Sequence, residues 1–556
     1  MYIFRNGAAA SRPVRVMAVA LVASLAVIAA ACGSSASGDQ KASSTSAPSD
    51  ATGEGTPIDG GALVIGVGAE TDGWNPGVNQ WADAGNFVGS SVLEPLAETG
   101  PDKGAKPWLA DSWIANEKFD SWLIKLKPNI TFQNGEKLDA SAVKQNFDFY
   151  VSSPLSGIAI APMVKSVEIV DPLSVQVNLT QPWGAFPSSI LAGATYMMAP
   201  EMIHSPDQGS SHPIGTGPFT FDSWQPGGSF KAKKNPTYWQ PGLPHLDSIE
   251  FKVIPDDSTR AAALSTGDVN MIMTTSASLA TDLAGTDTVV KDWSTENALV
   301  LANTAPTVEG KPNPLGNIHA RKALAYATDR QAIASTIGDG IETASSPWSP
   351  SNPWGLPDDQ TGYVDFDIEK AKAELADYTK DTGQATLSFT VLGTPGEDDI
   401  KVLQLLQSQW KDAGIDMSIQ TLEQTAYISR AVVSDFEALF SRNYGYADPD
   451  TNYIFWSAGS AKGVGNLSIN FAQFTSPPLE SALTTGRESG YVDVRKQAYH
   501  DVARELNAGF PDIWLYRTPY SLIADPHVKG LTKAREVGFG NYQPKTWLGD
   551  LWRSAN

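Results

Sequence analysis

Strand-type and helix-type spacings of apolar residues alternate along most of the chain. Residues 62–67 form a short, nearly continuous apolar run of the kind a buried strand shows. At 122–127 apolar and polar residues alternate, and Asn134-Gly135 follows as a tight-turn signal. Asp139 then stands where a helix needs a cap, with Val143, Phe147 and Tyr150 at i, i+4 and i+7 on one face. The segments 166–170 and 174–179, joined by Asp171-Pro172-Leu173, predict a hairpin, and 249–254 predicts a further strand. Ser258 opens and Gly267 closes a predicted helix that buries Leu264. Helical spacing recurs at 319–336 and 369–378. It returns over about 397–413, where Val402, Leu405, Leu406 and Trp410 face inward and Gly414 ends the pattern. A last amphipathic helix is predicted over 493–508. No short repeat and no heptad pattern is present, so the reading is mixed α/β.

One apolar stretch has a different meaning. Residues 16–31 follow Arg12 and Arg15, and their 16 positions fall short of the roughly 20 needed to span a bilayer. They end in Ala29-Ala30-Ala31, directly before Cys32, the only cysteine in 556 residues. A lone thiol cannot close a disulfide within the chain, so it needs another explanation. The segment resembles a bacterial lipoprotein lipobox, with Ala29 where leucine is most often found. The resemblance implies that residues 1–31 are a signal peptide, that Cys32 carries lipid, and that the mature chain starts there. An ordinary signal peptide, or an uncleaved anchor with Cys32 incidental, is the alternative. Residues 32–60 are rich in Ser, Thr, Gly and Ala and hold too few large apolar side chains to fold. As a flexible tether, residues 33–60 would span roughly 30 Å, from about 5–6 Å × √n.

Charge and size narrow the function. The chain carries a net charge of −21, and loss of Arg5, Arg12 and Arg15 with residues 1–31 would take it to −24. Such a surface repels phosphate backbones and anionic headgroups, which argues against nucleic-acid binding and leaves membrane attachment to the acyl chains. About 500 folded residues exceed what one core usually holds, so two or more lobes are expected.

The segments also resemble a family, in order and over nearly the whole mature chain. The blocks are VLEPLAETG and KPWLADSW (92–100, 106–113), SWLIKLKPNITFQNGEKLDASAVKQNF (121–147) and PIGTGPFTFDSW (213–224). They continue with residues 234–269, HARKALAYATDRQAI (319–333), the GID of 414–416, and residues 494–516. Together they resemble the family 5 extracytoplasmic solute-binding proteins, the oligopeptide and dipeptide receptors of ABC importers among them. The resemblance implies a two-lobed periplasmic-binding-protein type II fold that closes on its solute by hinge motion, with an extra subdomain. Lobe I would comprise 61–96, 214–300 and 519–556, the extra subdomain 97–213 and lobe II 301–518, with the hinge near Leu301 and Pro519. It further implies a lipid-anchored, monomeric receptor on the extracytoplasmic face of the cell membrane, which hands a peptide to ABC permease subunits. Relatives that bind oligosaccharides, nickel or haem, or that serve envelope regulation, keep those alternatives open.

Catalytic motifs are absent. There is no HExxH and no GxSxG, and the six histidines form no pair at i, i+3 or i+4. Gly215-Thr216-Gly217-Pro218 lacks the Lys-Ser/Thr of a phosphate loop. A secreted hydrolase using paired carboxylates is the competing class, and no cofactor or metal is expected. Trp224 and Trp239 are expected in the core. Arg260, Arg321 and Arg330 are expected to pair with acids or helix ends, with Asp329-Arg330 on the 319–336 helix a solvated or inter-helix ion pair. For the solute, the aromatic candidates are Trp74, Trp354, Tyr446 and Trp456, since a ring face suits both peptides and sugars. Asn86 is a polar candidate. In the peptide receptors an Asp after a Gly-aromatic pair meets the peptide ammonium. The matching segment here, 444–450, is shorter, and leaves Asp448 or Asp450 as candidates, or no ammonium site at all. Read locally, Asp448 opens a turn before Pro449 and Asp450 caps the helix that follows.

Overall fold

The computed structural model describes residues 55–554, apart from 80, 82, 101, 154–155, 285–288, 339–340, 396, 445–446, 536 and 538–545. Cys32, the apolar run before it and most of the tether segment lie outside the described residues. Ala62–Val67 lies inside a sheet, parallel to Ser248–Val253 on one side and to Met271–Thr274 on the other. Its apolar run is continuous because both faces are covered: Leu63, Ile65 and Val67 join one hydrophobic core, and Val64 packs against another.

The sheet has ten strands. From one edge they run Phe219–Gln225, Ser229–Lys234, Ser248–Val253, Ala62–Val67, Met271–Thr274, Asp512–Ala524, Val289–Ala302, Ala438–Tyr444, Ser388–Gly393 and Asp416–Thr421. The two long central strands pair antiparallel from Val289 opposite Ala524 to Leu301 opposite Asp512. Tyr520, Leu522 and Ala524 pack in the core that holds Leu63 and Ile65. Ile513, Leu515 and Tyr516 pack in a second core with Ala298, Val300, Ala438 and Val391. The chain therefore passes between the two cores twice, in adjacent strands, where residues 517–519 pair with 294–297.

Between residues 97 and 213 the chain adds a four-stranded antiparallel sheet, ordered Ala110–Ala115, Ser121–Leu126, Ser174–Leu179, Val164–Asp171. Helix Ala140–Ser152 packs against it. Asp139 caps this helix by accepting the Ala142 N–H at 3.0 Å, and Val143, Phe147 and Tyr150 are buried on one face. These side chains join the first core, so this segment extends that core rather than building its own.

Several family-like segments converge on one buried carboxylate. Glu94 accepts from Trp108 Nε1 (2.9 Å), Tyr238 Oη (2.7 Å), Thr216 Oγ1 (2.7 Å) and Trp239 Nε1 (2.9 Å). Burial pushes its carboxyl up to about 7, against the opposing pull of these four donors. Gly215 and Gly217 flank Thr216 because the Val92 carbonyl lies 2.2 and 2.5 Å from where their Cβ atoms would stand.

Three local expectations shift. The predicted 319–336 helix is two helices, Ile318–Tyr326 and Arg330–Ile337. Asp329 is the cap of the second, accepting the Ala332 N–H at 2.9 Å, not an ion-pair partner of Arg330. Arg330 pairs with an acid as expected, but with Asp365 at 3.4 Å; it also donates to the Ala344 and Val364 carbonyls and stacks 4.9 Å over Tyr363. The helix expected from Ser258 spans Asp257–Thr266 with Asp256 as cap, and Gly267 ends it at φ 79°. Arg321 pairs with helix ends as expected, donating to the Gly509 carbonyl that ends helix Val492–Gly509 and to the carbonyls of Leu315 and Gly316 in a 3₁₀ turn. Trp224 and Trp239 pack against the first core as expected. Among the described residues no helix is long and apolar enough to cross a membrane, and no group of three or more His, Cys, Asp or Glu is placed to hold a metal.

Candidate functional site

The Asp448-Pro449-Asp450 turn is fixed from two sides. Asp448 opens it as read from the sequence: its Oδ1 accepts the Asp450 N–H at 3.0 Å and caps a short 3₁₀ turn at Pro449–Asn452. The same oxygen receives Arg495 Nη2 at 2.5 Å, while Asp448 Oδ2 has no hydrogen-bond partner among the described residues. Arg495 is itself held, donating to the Gly486 carbonyl at 2.9 Å and lying 4.9 Å over the Trp354 ring. Burial pushes its guanidinium down, but Asp448 beside it outweighs this and the net shift is upward. Trp354 is buried and donates Nε1 to the Ala447 carbonyl at 3.0 Å, tying the loop of 352–356 to the turn.

Asp450 does not act as a side-chain cap. Its Oδ1 accepts Arg487 Nε at 2.7 Å, and its Oδ2 accepts Trp183 Nε1 and Ser189 Oγ, both at 2.7 Å. Burial alone would raise this carboxyl. The charge of Arg487 and the hydrogen bonds from Arg487 and Ser189 outweigh it, and Asp450 is held below the usual carboxylate range. The Arg487 guanidinium is sandwiched 3.5 Å from the Tyr453 ring and 4.9 Å from that of Trp183.

Trp183 and Ser189 belong to the segment that extends the first core, so Asp450 marks a seam between the two halves of the molecule. The seam continues in the backbone, where Gly184 and Ala185 donate to the carbonyls of Glu488 and Arg487, each at 3.2 Å. Gly184 has no room for a side chain: a Cβ there would stand 2.0 Å from the Ser489 carbonyl oxygen. Phe119 meets Tyr491 edge-on at 5.9 Å at the rim.

Behind the turn, the second half holds a small cavity. Leu299, Leu301, Trp456, Phe471, Asn443 and Asp512 are among its walls. Trp456 packs edge-on to Trp348 at 5.8 Å. Asp512 is 2 % exposed, and burial pushes its carboxyl up to about 7.

The remaining sequence candidates lie apart from this turn. Trp74 is buried among Trp81, Trp224 and Phe230 in the first core, its Nε1 without a hydrogen-bond partner among the described residues. Asn86 is fully buried on helix Asp83–Gly89 and accepts from Tyr196 Oη at 2.8 Å. Tyr446 lies outside the described residues. The structure thus brings together Trp354, Asp448, Asp450 and Trp456, and leaves Trp74 and Asn86 in the other half. Sequence reasoning missed Trp183, Ser189, Arg487, Arg495 and Asp512. The arginines fall on helices Pro477–Glu488 and Val492–Gly509, where buried positions 487 and 495 interrupt a mostly apolar face. That interruption was the one available signal.

Comparison with known proteins places the fold. The family model described as bacterial extracellular solute-binding proteins, family 5 Middle, matches residues 104–466. The chain is 29 % identical over 401 residues to the glutathione-binding protein GsiB of Salmonella paratyphi A, covering 71 % of this chain and 74 % of that one. Among solved structures it resembles the oligopeptide-binding protein AppA of Bacillus subtilis in complex with a nonapeptide. The TM-score is 0.72 at 21 % identity, over 90 % of this chain and 100 % of the other. NikZ of Campylobacter jejuni in complex with Ni(L-His) gives a TM-score of 0.72 at 21 % identity, over 88 % and 99 %. With the family model matched over most of the folded residues, the chain belongs to the family 5 bacterial extracellular solute-binding proteins of ABC transporters, and its fold is the type II two-lobed one.

Proposed function

We propose that this protein is a lipid-anchored receptor that captures a peptide or peptide-like solute in the seam between its two halves and delivers it to an ABC permease. The observation that carries the reading is the pair of adjacent long strands joining the two cores, beside a seam that Asp450 bridges. Such a joint allows opening and closing, and a solute that bridges the seam favours the closed form by its differential affinity. The relatives that bind glutathione and a nonapeptide support a peptide-like solute. Of the two acidic candidates, Asp448 is the one we assign to the solute. Its Oδ2 takes no hydrogen bond among the described residues, whereas both oxygens of Asp450 are occupied.

A non-peptide solute is the second reading, and one observation favours it. Arg495 already neutralises Asp448. A buried ammonium needs an uncompensated counter-charge, so this carboxylate suits a neutral N–H donor better. Gentle purification followed by mass spectrometry of released small molecules tests both readings. A peptide or peptide-like compound is expected, whose re-addition to emptied protein contracts the particle in solution scattering. The intact mass of the same preparation should show an acylated Cys32 as the first residue. Chemical turnover of the compound, or tight binding with no change of shape, would overturn the receptor mechanism.

A further inference from the structure

The place where the two long strands cross between the cores is also where the sheet can bend. Register irregularities between Ser294 and Glu296 and between Ala298 and Leu299 bracket it, and each breaks the ladder locally. Between them Asn297 lies opposite Arg517, so both side chains stand on one face of the sheet. Both are buried, and Arg517 Nη1 donates to Asn297 Oδ1 at 2.7 Å. From there the pair reaches one loop. Asn297 Nδ2 donates to the Pro347 carbonyl at 2.7 Å, and Arg517 Nη2 meets the Trp348 carbonyl at 3.4 Å. Glu342 is the acid beside Arg517, 3.8 Å from Nε and largely exposed, and burial lowers the guanidinium to about 10, so it stays charged at neutral pH. The loop itself is stiff. Pro347, Pro350 and Pro353 fix φ and offer no N–H, which leaves the carbonyls as handles. Gly355 folds back on Ser349, where a Cβ would stand 1.9 Å from the carbonyl oxygen. At the far end Trp354 donates to the Ala447 carbonyl and lies against Arg495, the partner of Asp448.

We infer that Asn297 and Arg517 are positioning residues for solute capture: they tie the 345–356 loop to the bending point of the sheet, and the loop passes a change of strand twist on to the Asp448 turn. Neither residue reaches the solute. The connection is contiguous, from the Asn297–Arg517 pair to Pro347 and Trp348, along the loop to Trp354, and from Trp354 to Ala447 beside Asp448. Other contacts hold the loop without serving this role. The Ala344 N–H donates to the Leu515 carbonyl, Thr343 bridges to Tyr516, and Trp348 packs on Trp456 and Tyr499, all within the second half. The pair at 297 and 517 holds it at the crossing itself, where hinge residues absorb the change in backbone angles. The inference deepens the reading of the chain as a solute receptor and rests on it.

Hydrogen exchange followed by mass spectrometry on the full chain tests the coupling. In the unaltered protein, peptides 342–356 and 447–452 should open together in low urea, in one step below the global transition. Opening in separate steps, or only with global unfolding, overturns the proposal whatever the variants do. Asn297→Asp keeps the shape of the side chain and an acceptor for Arg517 but removes the donor to Pro347. It should speed exchange about tenfold in both peptides, leaving strand Ser388–Gly393 and the melting temperature nearly unchanged. Arg517→Lys should do the same, because one ammonium cannot reproduce the fork that meets Asn297 and Trp348. Faster exchange in 342–356 alone, or no change in a folded variant, overturns the proposal and leaves the pair a plain structural tie. Trp354→Phe cuts the far end of the connection and should speed 447–452 only. Adding Asn297→Asp to it should then have no further effect there, and an additive increase overturns the proposal. A solute recovered from the native protein should bind Asn297→Asp about tenfold more weakly than the parent. Equal affinity overturns the coupling and leaves the receptor reading standing. The expected exchange pattern with no solute ever recovered leaves the coupling standing, and the receptor reading falls.

Discussion

Glu94 in the first half and Asp450 at the seam are both almost fully buried carboxylates, both accept a tryptophan N–H, and they shift in opposite directions. Glu94 receives four neutral donors, and its carboxyl still rises to about 7. Asp450 receives two neutral donors and one guanidinium, and it stays below the usual range. Hydrogen bonds satisfy the lone pairs of a buried anion, but they do not replace the solvation that its charge has lost. An adjacent cation does. The first site is therefore a hub that fixes segments from 92 to 239, and the second is a charged clasp between the halves.

The largest effect that could break this contrast comes from removing the cation. Arg487→Met should destabilise the protein by about 3–5 kcal/mol, because it leaves Asp450 buried without a counter-charge. Urea unfolding followed by tryptophan fluorescence measures this. A loss under about 1 kcal/mol would mean that Trp183 and Ser189 suffice and that the two carboxylates do not differ in kind.

The next effect concerns Glu94 and pH. Its proton is held up to about pH 7 in the folded chain and to about 4.5 in the unfolded one, so between these values the folded state binds more protons. Its contribution to stability is complete below about pH 4.5 and is lost as the pH rises through about 7, a change on the order of 3 kcal/mol. Asp512, raised to about 7 by burial, acts with the same sign. Glu94→Gln should flatten the Glu94 part of the profile. It should also destabilise by about 1–3 kcal/mol, since an amide N–H would face Thr216 and Trp239. An unchanged slope between pH 4.5 and 7 in the variant would remove Glu94 as a titrating group.

The smallest effect sharpens the seam. Ser189→Ala removes one of the two neutral donors to Asp450 and should weaken the contact by about 1.5 kcal/mol. Because Ser189 and Asp450 sit on opposite sides, the loss should register as a larger radius of gyration without solute, with a nearly unchanged unfolding midpoint. A fall in the midpoint with no change of shape would make Ser189 a core contact.

Local physics in the sequence anticipated the elements well. Strand Ala62–Val67, the 164–179 hairpin, the Asp139 cap and helix Glu397–Ala413 ending at Gly414 follow from spacing and turn chemistry that act within ten residues. The break at Thr328-Asp329 was hidden because the apolar spacing continues across it, while Asp329 competes for the Ala332 N–H and starts a new helix. The site was less legible. Asp448 showed itself as a turn residue, but Asp450 owes its role to Trp183 and Ser189, more than 260 positions away. Likewise Glu94 draws its donors from three separate segments, so its block could be matched by resemblance but not explained by it.

The central pair of strands has a consequence for how the molecule is made. Met271–Thr274 pairs on one side with Ala62–Val67 and on the other with Asp512–Ala524, which a ribosome delivers more than 230 residues later. Until then the first half presents a bare strand edge, as does Val289–Ala302 on the side that Asp512–Ala524 will cover. Neither half can be completed as it is synthesised. The two parts of the sheet are joined in a single late event, and a truncation anywhere before Asp512 leaves two edges open to pairing with other chains.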